Sequence, residues 1–155
     1  MGRTRQGAFN ARHKKFGIIV SRFNEFITQR LLDSAIETLV QSGASRNSIE
    51  TVWVPGALEI PFFAKRLAGR KRFDALIVLG CILRGGTHHF ECVSNEVTRG
   101  VSQVALETGV PIASGMITAD DLGQAIDRAG LKLGNKGAQA ALAAVEIANL
   151  NKVLE

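Results

Sequence analysis

Short apolar segments alternate along the chain with longer segments whose apolar residues recur at helical spacing. The apolar segments have the length of buried strands and cover residues 16–21, 48–54, 75–79 and 110–117. The helical patterns cover residues 26–40, 57–68, 90–104, 121–129 and 138–154. Strands that alternate with helices favour a parallel sheet, in which each helix makes a right-handed crossover between two strands. We therefore predict an α/β chain in which two layers of helices cover a four-stranded parallel sheet, a three-layer α/β/α sandwich.

Length and composition indicate one domain with a substantial core. The chain has 155 residues, of which 46% are hydrophobic, so it is long enough to bury a real core. Its two cysteines, Cys81 and Cys92, form no paired motif, which is typical of proteins from a reducing compartment. No apolar stretch reaches the length of a membrane span, and the N-terminus lacks the apolar core of a signal peptide. We expect a cytoplasmic protein with no membrane partner.

Positive charge is concentrated at the N-terminus. Residues 1–15 contain no acidic residue and carry the equivalent of the whole net charge of +5, on Arg3, Arg5, Arg12, Lys14 and Lys15. A basic arm can bind nucleic acid, but it can equally be a solvated terminus, and it has no interleaved aromatic residue apart from Phe9. We expect residues 1–15 to form a flexible arm and residues 16–155 to form the single domain.

The third apolar segment runs through glycines into a helical pattern. Gly80, Gly85 and Gly86 precede the pattern, and His89 falls in its first turn. Backbone N–H groups at a helix start have no intrahelical partner, and together with the helix dipole they favour an anion such as phosphate. Glycines after a strand can also serve the turn alone. A phosphate cradle beside a titratable imidazole predicts chemistry on a phosphorylated small molecule.

The chemically distinctive residues fall where the predicted strands end. In open parallel sheets, ligands bind beyond the carboxyl ends of the strands. Phe23 follows the first strand and can stack on a flat heterocycle, although it could also belong to the core. Glu59 follows the second strand and can accept hydrogen bonds from hydroxyls, although it could instead cap its own helix. With the glycine-rich turn and His89, they predict one site along this edge of the sheet.

Four motifs give the chain a family resemblance. They are SRFNEFIT (21–28), VPGALEIP (54–61), LGCILRGGTHHFE (79–91) and RAGLKLGNKG (128–137). In this order and spacing, from about Phe16 to the C-terminus, they resemble the lumazine synthase family. The resemblance implies a flavodoxin-like fold and a transferase of riboflavin biosynthesis, acting at the penultimate step. That family condenses 5-amino-6-(D-ribitylamino)uracil with 3,4-dihydroxy-2-butanone 4-phosphate to give 6,7-dimethyl-8-ribityllumazine, phosphate and water.

The resemblance also implies roles for individual residues. Phe23 would stack on the pyrimidine, and Glu59 would accept hydrogen bonds from the ribityl hydroxyls. His89 would be the general acid and base. The remaining uracil contacts would come from Ala57, Leu58, Cys81, Ile82 and Leu83, and the phosphate contacts from Gly86, Thr87, Arg128 and Lys136. Arg128 would reach the phosphate from a neighbouring subunit. The reaction has no redox step and requires no metal, so we expect no cofactor.

Ser114 departs from the family pattern. The family usually has an aromatic residue at this place, facing the pyrimidine from the adjacent subunit, whereas this chain has Ala113-Ser114-Gly115. Half of the expected apolar slot is therefore missing or is filled by another group. The departure affects the expected substrate affinity more than the expected reaction.

The resemblance implies a homopentamer in which each active site lies between neighbours. Some relatives close sixty subunits into an icosahedral shell. The segment 128–137 has no insertion of the kind that interrupts it in relatives that stay pentameric, so a shell is the expected larger assembly.

Other functions remain open from the residues alone. A metal site could draw on His88, His89, Glu91 and Cys92, but adjacent helical residues point about 100° apart. A phosphorelay receiver would need an acidic cluster after the first strand, where this chain has Arg22-Phe23. The remaining alternative is a non-catalytic protein that forms a shell or binds nucleic acid through its basic arm, although we do not expect a nucleic-acid partner.

Overall fold

The computed structural model describes residues 2–155, and within this range it contains four strands and five helices. The strands are β1 (Phe16–Ser21), β2 (Ile49–Val54), β3 (Ala75–Leu83) and β4 (Ile112–Ala119). The helices are α1 (Glu25–Gln41), α2 (Ile60–Gly69), α3 (His89–Thr108), α4 (Leu122–Arg128) and α5 (Lys136–Leu154). None of the helices between residues 2 and 155 combines the length and the apolar character that a membrane crossing needs.

The strands form one parallel sheet, as the alternation of strands and helices predicts, and their order in the sheet is β2-β1-β3-β4. The central strands β1 and β3 are apolar and almost entirely buried, which is typical of a parallel sheet covered on both faces. The edge strands β2 and β4 are more exposed. Because all strands run the same way, their carboxyl ends meet along one edge of the sheet.

Helices cover both faces, so the predicted α/β three-layer sandwich is confirmed. Alternate residues of the central strands point to opposite faces. Phe16, Ile18 and Val20 of β1 pack in the layer formed by α1 and α5, whereas Ile19 packs in the layer formed by α2 and α3. The flavodoxin-like architecture thus has one apolar layer on each side of the sheet.

Small residues allow α1 and α5 to approach closely. A Cβ atom added to Gly137 at the start of α5 would lie 2.0 Å from the carbonyl oxygen of Leu31 in α1. Further along α5, Ala141 and Ala144 are fully buried. The alanine-rich sequence of this helix is therefore used in packing within the chain.

β3 is longer than its apolar core suggests. The sequence predicts a strand over residues 75–79, followed directly by a turn, but β3 extends to Leu83. Cys81, Ile82 and Leu83 pair with residues 117–119 of β4, which keeps this segment extended. The predicted helix over residues 57–68 begins instead as a short 3₁₀ turn, Ala57–Glu59, before α2.

The N-terminal segment lies along α5. A Cβ atom on Gly7 would come within 1.9 Å of the Glu146 carbonyl oxygen. The side-chain amide of Asn149 donates hydrogen bonds to the carbonyls of Ala8 and Asn10, at 2.8 and 2.9 Å. Residues 2–15 form no helix or strand. Their flexibility in solution stays a prediction.

Candidate active site

A pocket of about 230 Å³ opens at the carboxyl edge of the sheet. Its walls come from the segment after β1, the 3₁₀ turn after β2, the end of β3 and the first turn of α3. The lining residues are Phe23, Gly56, Ala57, Leu58, Glu59, Cys81, Ile82, Leu83, His89, Phe90 and Val93. The fold thus brings together eight residues that the sequence assigns to a site, from segments that are distant in the chain.

Backbone hydrogen bonds fix the position of Phe23. After β1 ends, the N–H of Arg22 donates to the carbonyl of Val54 at 2.7 Å, and the N–H of Phe23 donates to that of Pro55 at 3.1 Å. These two bonds prolong the pairing with β2 beyond the strand itself. The Phe23 side chain is 72% exposed at the rim of the pocket, so one face of the ring is available for stacking.

Asn24 links the segment after β1 to β3. Its φ of 61° lies in the left-handed region, which asparagine tolerates better than most residues. Its side-chain amide donates to the carbonyl of Cys81 at 2.9 Å. The sequence places Asn24 at a strand end, but this positioning contact with a residue 57 places away appears only in the fold.

The Glu59 carboxylate is oriented by its own turn. Its Oε2 accepts a hydrogen bond of 2.9 Å from the backbone N–H of Gly56. A carboxylate in the first turn of a helix commonly accepts a hydrogen bond from the backbone N–H three residues earlier, so the capping role considered for Glu59 is present. Among the hydrogen bonds within residues 2–155, Oε1 accepts none, and it can bind a hydroxyl while Oε2 holds the side chain in place.

The end of β3 forms the floor of the pocket. Cys81 is buried, and burial raises the pKa of its thiol to about 11. The thiol is therefore uncharged near neutral pH and is a weak nucleophile. What Cys81, Ile82 and Leu83 can offer a polar ligand is their backbone.

His89 is the first residue of α3 and lines the pocket, next to the glycine-rich turn. Its backbone N–H donates to the Thr87 hydroxyl at 3.3 Å. Gly85, Gly86 and Thr87 are exposed, and a Cβ atom on either glycine would meet no atom within 4 Å. The turn thus presents an exposed backbone that can bind an anion. The accessible imidazole beside it can transfer protons.

Arg84 connects three elements at the edge of the pocket. Its Nε donates to the Asp120 carboxylate at 2.9 Å, and its Nη1 donates to the Glu91 carboxylate. Its guanidinium carbon lies 4.4 Å from the centre of the Phe90 ring. The guanidinium holds the pKa of Glu91 below its ordinary value. Arg84 and Phe90 are not among the site residues predicted from the sequence, although an arginine directly after a strand that ends at a binding edge is a usable signal.

Five residues that the sequence assigns to the site do not line this pocket. Gly86 and Thr87 lie in the turn just before His89, and the other three lie on different elements. Ser114 is exposed on the edge strand β4, in a separate groove beside α3. Arg128 ends α4, where its side chain donates to the Gln124 carbonyl at 3.3 Å. Lys136 begins α5. A single chain does not bring Ser114, Arg128 and Lys136 into the pocket with Phe23 and His89.

Metal-ligating side chains do not cluster in the part of the chain that the structure describes. Residues 2–155 contain no group of three or more histidine, cysteine, aspartate or glutamate side chains placed to hold one ion. The alternative site built from His88, His89, Glu91 and Cys92 therefore lacks a suitable donor set in these residues.

Two comparisons with known proteins show the family of this chain. A family model described as 6,7-dimethyl-8-ribityllumazine synthase matches residues 13–152. Over 150 residues the chain is 52% identical to the 6,7-dimethyl-8-ribityllumazine synthase of Desulfotalea psychrophila, and the match covers 97% of each chain. The matched range includes every strand and the whole pocket. The chain therefore belongs to the 6,7-dimethyl-8-ribityllumazine synthase family.

Proposed function

We propose that this chain condenses 5-amino-6-(D-ribitylamino)uracil with 3,4-dihydroxy-2-butanone 4-phosphate. The products are 6,7-dimethyl-8-ribityllumazine, inorganic phosphate and water, and the reaction is the penultimate step of riboflavin biosynthesis. The observation that carries the proposal is the pocket that gathers Phe23, Glu59 and His89 at one sheet edge, in a chain of this family.

The uracil substrate occupies the pocket itself. Its ring stacks on Phe23, and its polar edge meets the backbone of residues 81–83 at the end of β3. Ala57 and Leu58 hold the adjoining part of the molecule through their backbone. The ribityl hydroxyls donate to Glu59, whose carboxylate is already oriented by Gly56. A flat ring over an apolar floor and a hydroxylated chain at a carboxylate make a consistent pairing of ligand and site.

The phosphate substrate binds at the start of α3. Gly86 and Thr87 offer open backbone there, and the positive end of a 20-residue helix favours the anion. Arg128 and Lys136 come from a neighbouring subunit, since within one chain they lie away from the pocket. A guanidinium can bind phosphate through two hydrogen bonds, and a lysine adds a second positive charge.

His89 moves the protons that the condensation requires. An amine of the uracil attacks the ketone, water leaves, and an imine forms. Phosphate then departs, and the second amine closes the ring with the loss of another water. Each step transfers a proton between nitrogen, carbon or oxygen, and an imidazole can both donate and accept one. The pocket contributes further by holding the two reactants together.

The assembly we propose is a homopentamer, with a sixty-subunit shell as its larger form, and we place the protein in the cytoplasm. Two features support association. The sheet has open edge strands, β2 and β4, and open edges favour pairing or covering by another chain. Large apolar side chains are also exposed, including Phe62 at 61% and Leu106 at 87%. A neighbour would cover these surfaces and bring Arg128 and Ser114 to the pocket.

The test is to incubate the purified protein with both substrates and to follow the lumazine chromophore, with mass spectrometry to identify the product. We expect product only when both substrates are present, together with an equal amount of released phosphate. Release of phosphate without lumazine, or no reaction with either order of addition, would contradict the proposed function.

A further inference from the structure

The turn that precedes α3 has little local structure to hold it. Residues 85–88 are all exposed. At the junction between the turn and α3, the Thr87 hydroxyl accepts a hydrogen bond of 3.3 Å from the backbone N–H of His89. Added Cβ atoms on Gly85 and Gly86 would meet nothing within 4 Å. Two adjacent glycines without packing neighbours allow many backbone conformations. Contacts from outside the turn must therefore fix its backbone conformation if the turn is to bind an anion.

Arg84 makes hydrogen bonds at both ends of this turn. On the side before the turn, its backbone N–H donates to the Ala119 carbonyl at 2.9 Å, and its Nε donates to Asp120 at 2.9 Å. On the side after the turn, its Nη1 donates to Glu91 in the first turn of α3. One guanidinium thus joins the ends of β3 and β4 to the start of α3, across the four residues between them.

The same side chain contacts a residue that lines the pocket. Its guanidinium lies over the Phe90 ring at 4.4 Å, and Phe90 lines the pocket whereas Arg84 does not. Stacking of a guanidinium on an aromatic face restrains both groups. Arg84 therefore acts on the ligand through other residues.

Arg84 also offsets negative charge where a phosphate would bind. Glu91 and Asp120 are its two ion-pair partners, and one oxygen of Glu91 is buried without a hydrogen-bond partner in the described residues. Removal of the guanidinium would leave two unpaired carboxylates beside the glycine-rich turn. Two unpaired negative charges beside the turn would repel an incoming phosphate.

We propose that Arg84 is a positioning residue for the phosphate-bearing substrate: it fixes both ends of the glycine-rich turn and neutralises Glu91 and Asp120. The inference rests on the proposed function, since it concerns the second substrate of the same reaction. Exposed ion pairs contribute little to overall stability. We therefore expect substitution of Arg84 to affect substrate binding more than the stability of the fold.

The test compares Arg84→Met and Arg84→Lys with the wild-type enzyme. We expect Arg84→Met to raise the KM for the butanone phosphate on the order of tenfold to a hundredfold, as misplacement of binding groups commonly does. The KM for the uracil substrate should change by less than about twofold, because its pocket contacts remain. Arg84→Lys keeps the charge but loses the planar fork, so it should recover part of the loss.

Arg72→Met is the matched control. Arg72 is also exposed, pairs with Glu50 at 3.5 Å and lies over a phenylalanine ring, Phe73, at 5.2 Å, but it is remote from the pocket. Its substitution should leave both KM values unchanged. An Arg84→Met enzyme with an unchanged KM for the phosphate substrate, or with equal increases for both substrates, would overturn the proposal.

Binding of inorganic phosphate provides a second measurement that does not need turnover. Calorimetry should detect weaker phosphate binding by Arg84→Lys, and still weaker binding by Arg84→Met, than by the wild-type protein. Equal phosphate affinity in all three would overturn the positioning role. A wild-type protein that binds phosphate with this dependence on Arg84, but forms no lumazine, would refute the proposed reaction and leave the role of Arg84 in anion binding supported.

Discussion

His89 combines an exposed imidazole with a fixed backbone. Its main chain is held at the start of α3 by the Thr87 hydroxyl, and its side chain lines the pocket that Phe23 and Glu59 share. We propose that the imidazole, anchored in this way, donates protons to both substrates without a change of fold. His88, its neighbour, does not line the pocket.

We therefore predict that His89→Ala lowers kcat by about 10²- to 10⁴-fold, the usual range for the loss of a general acid or base. The fold and the assembly should be unchanged, because the side chain is exposed. Steady-state kinetics and circular dichroism check both parts. His88→Ala is the control and should retain nearly full turnover, and an unchanged kcat in His89→Ala would remove the acid-base role.

Glu91 reports on the ion pairs of Arg84 through its titration. The guanidinium of Arg84 lowers the pKa of Glu91, with a smaller contribution from His88. A lowered pKa means that the charged carboxylate is favoured in the folded state, so its contribution is present above the ordinary glutamate pKa and is lost as the pH falls through the lowered value. NMR titration of the Glu91 carboxyl should show its pKa rising toward the ordinary range in Arg84→Met. The same low pKa in this variant would mean that another group causes the shift.

Substitution of Ser114 tests the apolar slot that we propose on the far side of the uracil substrate. It is exposed on β4 and lies beside Met116 in a groove against α3. Since we place this surface opposite Phe23 of a neighbouring subunit, Ser114→Phe should lower the KM for the uracil substrate. Steady-state kinetics check this, and a higher KM would indicate that another side chain already occupies the slot.

At the level of the elements, the contact between α1 and α5 depends on one glycine. Because a Cβ atom on Gly137 would lie 2.0 Å from a backbone oxygen of α1, Gly137→Ala must displace one helix. We predict a loss of stability of about 1–3 kcal/mol, as for other overpacked positions, measured by denaturant unfolding. Gly69→Ala is the control: nothing lies within 4 Å of its added Cβ, so it should be neutral or slightly stabilising. Equal stability of the two variants would contradict the close packing of α1 and α5.

The elements also show what the sequence can predict and where prediction stops. Apolar periodicity identifies β1 and α3 well, because each buries one continuous apolar set. The same periodicity predicts an end of β3 that is too early. Gly80 resembles the start of a turn, and the pairing of residues 81–83 with β4 is not a local property of the sequence. The role of Arg84 is missed for the same reason, because its partner Asp120 is 36 residues away.

At the level of the whole molecule, the pocket of one chain lacks two of the residues that we propose for phosphate binding. Phe23, Glu59 and His89 meet in it, but Arg128 and Lys136 lie elsewhere in the same chain. Their proposed roles follow from family membership together with an assembly in which a neighbour completes the pocket. Sequence motifs name these residues, but no pattern within a single chain can show that they belong to the site of another subunit.

We also expect the pentamer to be the smallest active unit. Light scattering at physiological salt should therefore detect no active monomer, and a sixty-subunit shell would appear as a much larger particle. Positive charge in residues 1–15 is repeated in every copy, and low salt would strengthen repulsion wherever these copies lie close together. Particles no larger than a pentamer at all salt concentrations would exclude the shell but leave the shared site possible.

The most direct measurement is the rate of lumazine formation by assemblies mixed from His89→Ala and Arg128→Ala subunits. Each variant alone should be nearly inactive with both substrates. After dissociation and reassembly in equal amounts, a random arrangement places an intact His89 beside an intact Arg128 at roughly a quarter of the boundaries between subunits, so about a quarter of the wild-type rate should return. A rate no higher than the mean of the two variants, after mixing has been verified by mass spectrometry, would contradict an active site built from two chains.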